Sequence, residues 1–504
     1  MIHIDGNNLN LEFLRRVVFE NEEVKLKESQ REIIRKSRAL VEKIAKGEKP
    51  VYGINTGFGY LAGKKIPPEK VEQLQYNLIR SHTTGVGKPS PKEVVRAMML
   101  LRANVLAKGY SGVRVETVEK IIELLNRGIH PVVPEQGSVG ASGDLAPLAH
   151  LALAFIGEGD VEYKGKIYNS GELFKELGIK PLDLKAKEGL SLINGTQYMS
   201  SVAAVILLKS KGLFKIADLS LSLTFDALMG KLSPFDEKIY LVRKHPEVDK
   251  VMKNVRELIM PSPFLTSKNR IDKVQDAYSV RCSPQVHGAV RLAAKRLEET
   301  LLIEMNSATD NPLVFAEEEE VLSNGNFHGE PVALTIDHFS NALVELGNLV
   351  ERRIERLVNP ALNHNLPPFL VEESGLNSGF MIAHVVAAAL SAENMSLAHP
   401  PSAINIPTSA NQEDHVSMGA NSANRLKRIY ENTKRIIAIE LIASAQAMEL
   451  RGERTSLPLE KMVKLIREDV IFVKEDHRLD KFIEKVAEKI DNNYYLNNLP
   501  IILY

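Results

Sequence analysis

The sequence predicts a mainly α protein: a central bundle of long helices joined to an N-terminal globular domain. Two observations carry that prediction. Apolar residues recur at helical spacing along most of the chain, and four stretches in its second half sustain the pattern for roughly 20 to 30 residues, beyond the usual helix length. Strand signals, by contrast, reduce to one short alternating segment. A division into residues 1–200 and 201–504 is expected, the second part mediating oligomerisation.

The elements follow in chain order. Residues 28–46 place Ile33, Ile34, Leu40, Val41 and Ile44 along one helical face. "SPKEVVRAMMLLRANVLAKG" opens with a capping box of Ser90 and Glu93, with Pro91 at the first helical position, and stops at Gly109. A further helix is expected over 115–126, ending before Gly128. "GDVEYKGKIYNSGEL" alternates and turns at Lys164-Gly165, the pattern of a small hairpin. The long periodic stretches begin at "QVHGAV", "EPVALT", "GFMIAH" and "ANRLKR". Several carry small apolar residues on more than one side, as helices buried on most faces do. A bundle extended by oligomerisation accounts for them.

Composition narrows the function classes. Of 504 residues, 44% are hydrophobic and 25% charged, the profile of an ordinary globular protein. Lys plus Arg equals Asp plus Glu at 64 each, so bulk charge favours neither nucleic acid nor an anionic membrane. The single cysteine, Cys282, forms no intrachain disulfide and suits a reducing compartment. No signal peptide is read at the start, and the longest uncharged apolar run, near residues 145–157, is too short to span a bilayer. A cytoplasmic location is the expectation.

Five polar, loop-like segments interrupt the helical pattern: "YGINTGFG" (52–59), "GSVGASGDLAP" (137–147), "GLSLINGTQ" (189–197), "VQDAYSVRCSPQ" (274–285) and "IPTSANQEDHVSMG" (406–419). Loops held by rigid helices are where binding and catalytic groups concentrate. No P-loop and no complete dinucleotide fingerprint appears. His328 near Glu330, and Glu413 near His415, lack a third ligand at standard spacing, so no metal is expected. "GASG" is no hydrolase elbow, since no strand leads into it.

Ala141-Ser142-Gly143 has chemistry of its own. If the chain bends sharply there, the Gly143 amide nitrogen can approach the Ala141 carbonyl carbon, because glycine lacks the Cβ that would block it. Ring closure with loss of water, then dehydration of Ser142, yields a five-membered imidazolone with an exocyclic methylene. That product is a strong electrophile made without an external cofactor.

"YGINTGFG", "NLIRSHTTGVG", "GSVGASGDLAPLAH", "LINGTQ", "YSVRCSPQV", "NSATDNPLVF", "NGNFHGEPVA", "GLNSGFMIA" and "PTSANQEDHVSMG" occur in that order. In these the chain resembles the aromatic amino acid ammonia-lyases and aminomutases of the fumarase/aspartase-like fold, and among them the histidine-deaminating branch. The resemblance implies non-oxidative loss of ammonia from L-histidine to leave trans-urocanate. It implies 4-methylideneimidazol-5-one (MIO), formed autocatalytically from Ala141, Ser142 and Gly143, and no external cofactor. It places Tyr52 as the base, whose phenol must be acidified from about 10 to act near neutrality. It places Arg281 on the substrate carboxylate, with Tyr278 assisting in binding or proton traffic, and Asn194 and Gln275 as polar groups around the electrophile and carboxylate. Phe327 would pack on the prosthetic ring, His82 would contact the substrate imidazole, and Glu413 would accept from its N–H. Asp144 would assist ring formation or else cap the following helix. A homotetramer with sites shared between chains is implied as well.

Two other readings stand beside this one: a tyrosine ammonia-lyase or 2,3-aminomutase using the same electrophile, and a helical scaffold keeping the fold without the chemistry. "RCSPQVHG" departs from commoner forms near Ser283 and His287.

Overall fold

The computed structural model describes residues 1–504 and is mainly helical, in two compact units. The first comprises residues 1–205, 297–337 and 400–424, and the second 206–296, 338–399 and 425–504. Sequence neighbours therefore part company in the second half, where two returning segments join the first unit.

Helices Glu28–Ala45 and Val115–Asn126 occupy the expected spans. Ile34, Leu40 and Val41 are buried on the first, but Ile33 is 45% exposed and leaves the apolar face. The helix Lys92–Ala107 starts one residue after Pro91, with no side-chain cap at its N-terminus. The expected capping box is thus not formed. Fourteen of this helix's residues are buried, so tertiary packing sustains it without a cap.

The hairpin forms as Asp160–Tyr163 and Lys166–Asn169, with Lys164 and Gly165 both at positive φ in its turn. Ile129–Pro131 adds a third antiparallel strand that alternation did not reveal. A second small ladder pairs Val86–Pro89 with Pro134–Gln136. It sets the chain leaving helix Val71–His82 beside the chain entering the 137–147 loop.

The long periodic stretches become helices Ser283–Glu304, Glu330–Val358, Met381–Ser396 and Gly419–Arg451. A fifth, Gln197–Ala227, runs 31 residues. Its serines are buried along with its apolar residues, so no polar face sets off an apolar period and the sequence pattern missed it. "GLSLINGTQ" is not wholly a loop either, since Glu188–Ile193 is a fully buried helical turn. In the second unit His287 is a packed helix residue, its Nδ1 2.7 Å from Asp218.

The segment Met381–Ala403 is long and apolar enough, by length and composition, to cross a membrane, at mean hydropathy 1.3. His384 and Glu393 interrupt it, so a search for uncharged runs passes over it. Ile382, Val385, Val386 and Met395 are exposed along its helix.

Candidate active site

The 137–147 loop is held by what precedes and follows it. Strand Pro134–Gln136 delivers the chain, and the apolar helix Leu145–Phe155 anchors its exit with eight buried residues. Ala141 packs with Val416 and Met418, and Met418 N donates to Val139 O at 2.9 Å. The bend itself turns on Gly143, at φ +75°. A Cβ there would lie 2.2 Å from the carbonyl oxygen of Gly195, so only glycine fits. Asp144 N donates to that same oxygen at 2.7 Å, and Asn194 Nδ2 donates to Ser142 O at 3.0 Å. Asn194-Gly195 thus forms a platform beneath the tripeptide.

The platform has a buried support that sequence reasoning missed. Arg102, fully buried in helix Lys92–Ala107, donates through Nη1 to Asn194 O and Gln197 Oε1, each at 2.7 Å. Gln197 Nε2 in turn donates to Thr309 Oγ1 at 2.9 Å. Burial pushes the Arg102 pKa down to about 10, which leaves it charged at neutral pH. The signal was present: a lone arginine inside "AMMLLRANVLA" is a charge where only a paired one is tolerated.

Asp144 occupies the N-cap position of helix Leu145–Phe155, yet its side chain does not cap it. Its carboxyl accepts from Met199 N at 2.9 Å and from Ser138 Oγ at 3.3 Å. Full burial raises its pKa to about 7 in spite of these donors.

Above the tripeptide opens a cavity of about 620 Å³, walled by Tyr52, Ala141, Ser142, Phe327, His328, Glu413 and His415 among others. Ser142 Oγ donates to Glu413 Oε1 at 3.0 Å. Thr408 Oγ1 donates to the other oxygen, Oε2, at 2.6 Å, and the backbones of Thr408 and Glu413 pair as a bridge that aims the carboxylate. Thr408 is a second residue that sequence reasoning left without a role.

Tyr52 is half-buried, and its phenol pKa is raised, chiefly by burial and further by Glu413 and Asp310; a hydrogen bond with the Gly59 backbone works the other way. The direction is opposite to the acidification expected of a base. His82 ends helix Val71–His82, with Nδ1 3.0 Å from Ser81 Oγ. Burial lowers its pKa, so the imidazole is uncharged at neutral pH although Glu413 opposes the shift.

Gln275, Tyr278 and Arg281 belong to the second unit. Gln275 is exposed, Tyr278–Arg281 forms one helical turn, and the Arg281 guanidinium lies 4.5 Å from the Tyr278 ring centroid. The two side chains therefore share one face of that turn. Arg281 Nε is buried without a hydrogen-bond partner.

His328, Glu330 and His415 bring one ligand atom each within 4.8 Å of one another, the third donor arriving from 85 residues away in sequence. Chain folding supplies what linear spacing lacked.

Chemically, the cavity sets a constrained serine, a carboxylate, a phenol and an aromatic ring around a space fit for a small polar molecule. Comparison with known proteins agrees in kind. The family model described as aromatic amino acid lyase matches residues 9–468. A histidine ammonia-lyase of Natranaerobius thermophilus is 48% identical, covering 97% of each chain. Among solved structures, histidine ammonia-lyase from Trypanosoma cruzi superposes with a TM-score of 0.90 at 42% identity, over 99% of this chain and 94% of that one. Tyrosine aminomutase from Streptomyces globisporus superposes with a TM-score of 0.94 at 36% identity, over the full length of both.

Proposed function

We propose that this chain, which belongs to the aromatic amino acid lyase family, is a carbon–nitrogen lyase that removes ammonia from L-histidine to leave trans-urocanate. The observation that carries the choice of substrate is Glu413, held at the cavity wall through Oε2 by Thr408, with Oε1 freed for a ligand once Ser142 loses the hydroxyl that meets it. A carboxylate so placed accepts a hydrogen bond from an imidazole N–H and favours its charged form. The relatives named histidine ammonia-lyase support the same choice.

Three features support formation of MIO from Ala141, Ser142 and Gly143. Gly143 lies against Gly195 with no room for a Cβ, Asn194 holds the Ser142 carbonyl, and the buried Asn194 Oδ1 has no partner of its own. When formed, the group supplies an electrophile that takes up the substrate amine and makes it a better leaving group.

The remaining work falls to side chains. Tyr52, as phenolate, takes the β-proton while the Cα–N bond breaks and its electron pair leaves with the nitrogen. Its raised pKa sets a requirement: positive charge must arrive with the substrate or from a neighbouring chain before it acts as a base. His82, uncharged, faces the imidazole, and Phe327 packs over the reacting centre. Arg281 forks onto the substrate carboxylate, with Gln275 and Tyr278 beside it. Asp144, protonated near neutral pH, moves a proton during ring formation.

We further assign residues 1–200, joined by the returning segments 297–337 and 400–424, to the domain bearing the MIO loop and the remainder of 201–504 to the bundle that assembles a homotetramer. The exposed apolar face of helix Met381–Ser396 supports packing against another chain. The single cysteine supports a cytoplasmic setting.

A second reading, a tyrosine lyase or 2,3-aminomutase with the same electrophile, draws on the TM-score of 0.94 to tyrosine aminomutase. Turnover of histidine, tyrosine and phenylalanine by the purified protein separates the two through the near-ultraviolet absorbance of each conjugated acid. Intact mass tests the chemistry itself. Wild type should be lighter than its sequence by two waters, Ser142→Ala should not, and full activity in that variant would sink the reading.

A further inference from the structure

We infer that Ser283 is a positioning residue for Arg281: it ties the short turn that carries the arginine to the buried pair of Arg353 and Glu440. This role rests on the reading of Arg281 as the group that meets the substrate carboxylate.

The turn Tyr278–Arg281 is four residues long and is separated from helix Ser283–Glu304 by Cys282, at φ −97° and ψ 4°. Those angles lie in the bridge region rather than the helical one, so the helix does not by itself carry its direction into the turn. Ser283 Oγ spans the break: fully buried, it donates to Ser279 O at 2.7 Å. Arg281 depends on that turn for its aim. Its guanidinium rests on the Tyr278 ring of the same turn, and its buried Nε has no hydrogen-bond partner. Where the turn points, the guanidinium follows.

Ser283 is itself held. Its Oγ accepts from Arg353 Nη1 at 3.3 Å. Arg353 donates to Glu440 through Nε at 2.5 Å and Nη2 at 2.9 Å, and both side chains are fully buried. The hydroxyls of Ser220 and Thr224 donate to the two Glu440 oxygens at 2.5 and 2.9 Å. Breaking such a pair strands a buried charge at high cost, so it serves as a fixed post. His287 flanks the same nitrogen, with Nε2 3.4 Å from Arg353 Nη1 and Nδ1 2.7 Å from Asp218 Oδ1. The two residues of "RCSPQVHG" that the lyase chemistry leaves without a role thus meet at one guanidinium nitrogen.

The consequence falls on binding geometry. A guanidinium fork grips a carboxylate at two points and is sensitive to angle as well as distance. A misplacement of about 1 Å originating far from the chemistry can cost on the order of 10²-fold.

The test is calorimetric titration of the full-length protein with imidazolepropionate and with histamine, which lacks the carboxylate. Arg353→Met would leave Glu440 buried and unpaired, so the variant of choice is Ser283→Ala, which keeps that pair. It should bind imidazolepropionate about tenfold more weakly than wild type and histamine equally well. KM for histidine should rise while kcat changes far less. Tyr430→Phe, which removes a buried hydrogen bond to Asp491 elsewhere in the same unit, should lower thermal stability without moving the ratio of the two affinities. A wild type that binds imidazolepropionate no better than histamine would overturn the carboxylate reading of Arg281 and this role with it. A wild type that prefers imidazolepropionate, with the preference intact in Ser283→Ala or lost equally in Tyr430→Phe, would overturn the role of Ser283 alone.

Discussion

Gly143 and Gly195, 52 positions apart in sequence, are in backbone contact: a Cβ on Gly143 would lie 2.2 Å from the Gly195 carbonyl oxygen. The two residues also pair as an isolated parallel bridge. Gly143→Ala must push the tripeptide off its platform and hold φ +75° with a side chain. A cost of about 1–3 kcal/mol is expected. Thermal unfolding reads the loss of stability, and intact mass reads the loss of the two-water deficit. A variant that keeps wild-type stability and the deficit would show that the contact does not govern ring formation.

Glu413 touches Ser142 and Thr408 but is only half-buried, so Glu413→Gln should leave folding nearly unchanged. kcat/KM for histidine should fall on the order of 10–100-fold, the worth of a charge-assisted hydrogen bond of about 1.5–3 kcal/mol. Activity toward an amino acid without an imidazole should fall far less. Equal losses on both substrates would remove Glu413 from substrate selection.

The pH profile carries two signs. His82 has a lowered pKa, so its neutral form is favoured in the folded protein, and that contribution is lost as pH falls below about 6.5. The acid limb of kcat/KM that belongs to His82 therefore lies below pH 6.5 and vanishes in His82→Gln. Tyr52 has a raised pKa, so the free enzyme gains base as pH rises from 7 towards 10. kcat/KM should climb over that range, and Tyr52→Phe should flatten it at a much lower level. A plateau from pH 7 upward would place the base elsewhere.

Asp144 contributes to stability in the opposite sense to an ordinary paired carboxylate. Its folded pKa of about 7 stands above the unfolded value of about 3.9, so the fold favours the protonated acid. Stability from this group is fully present below pH 4 and is lost as pH rises through 7. Denaturant unfolding at pH 5 and pH 8 should show wild type losing more stability than Asp144→Asn between the two. Parallel losses would mean that the carboxyl is ionised throughout.

Much of the helical fold was legible in the sequence, because period and punctuation are local. The helix over 115–126 and the turn at Lys164-Gly165 follow from spacing and glycine placement. Helix Gln197–Ala227 escaped because burial on nearly all sides erases the contrast on which a period depends. The capping box at Ser90 failed for the converse reason: the pattern was local, but packing of the whole helix decided where it starts.

The site divides along the same line. Tyr52, Ser142, Phe327 and Glu413 announced themselves through motifs, and the fold sets them around one cavity. Arg102 and Met199 lie outside every motif, and Gly195 and Thr408 lie inside one without announcing a role, since their work is to hold other residues in place. The sequence by itself determined the residue types and the reactive tripeptide, because covalent chemistry depends on neighbours along the chain. Only the tertiary structure decided that Gly143 meets Gly195, that burial moves the Tyr52 and Asp144 protons, and that His415 joins His328 and Glu330. Those outcomes depend on distances through space and on exclusion of water, and neither is encoded in local order.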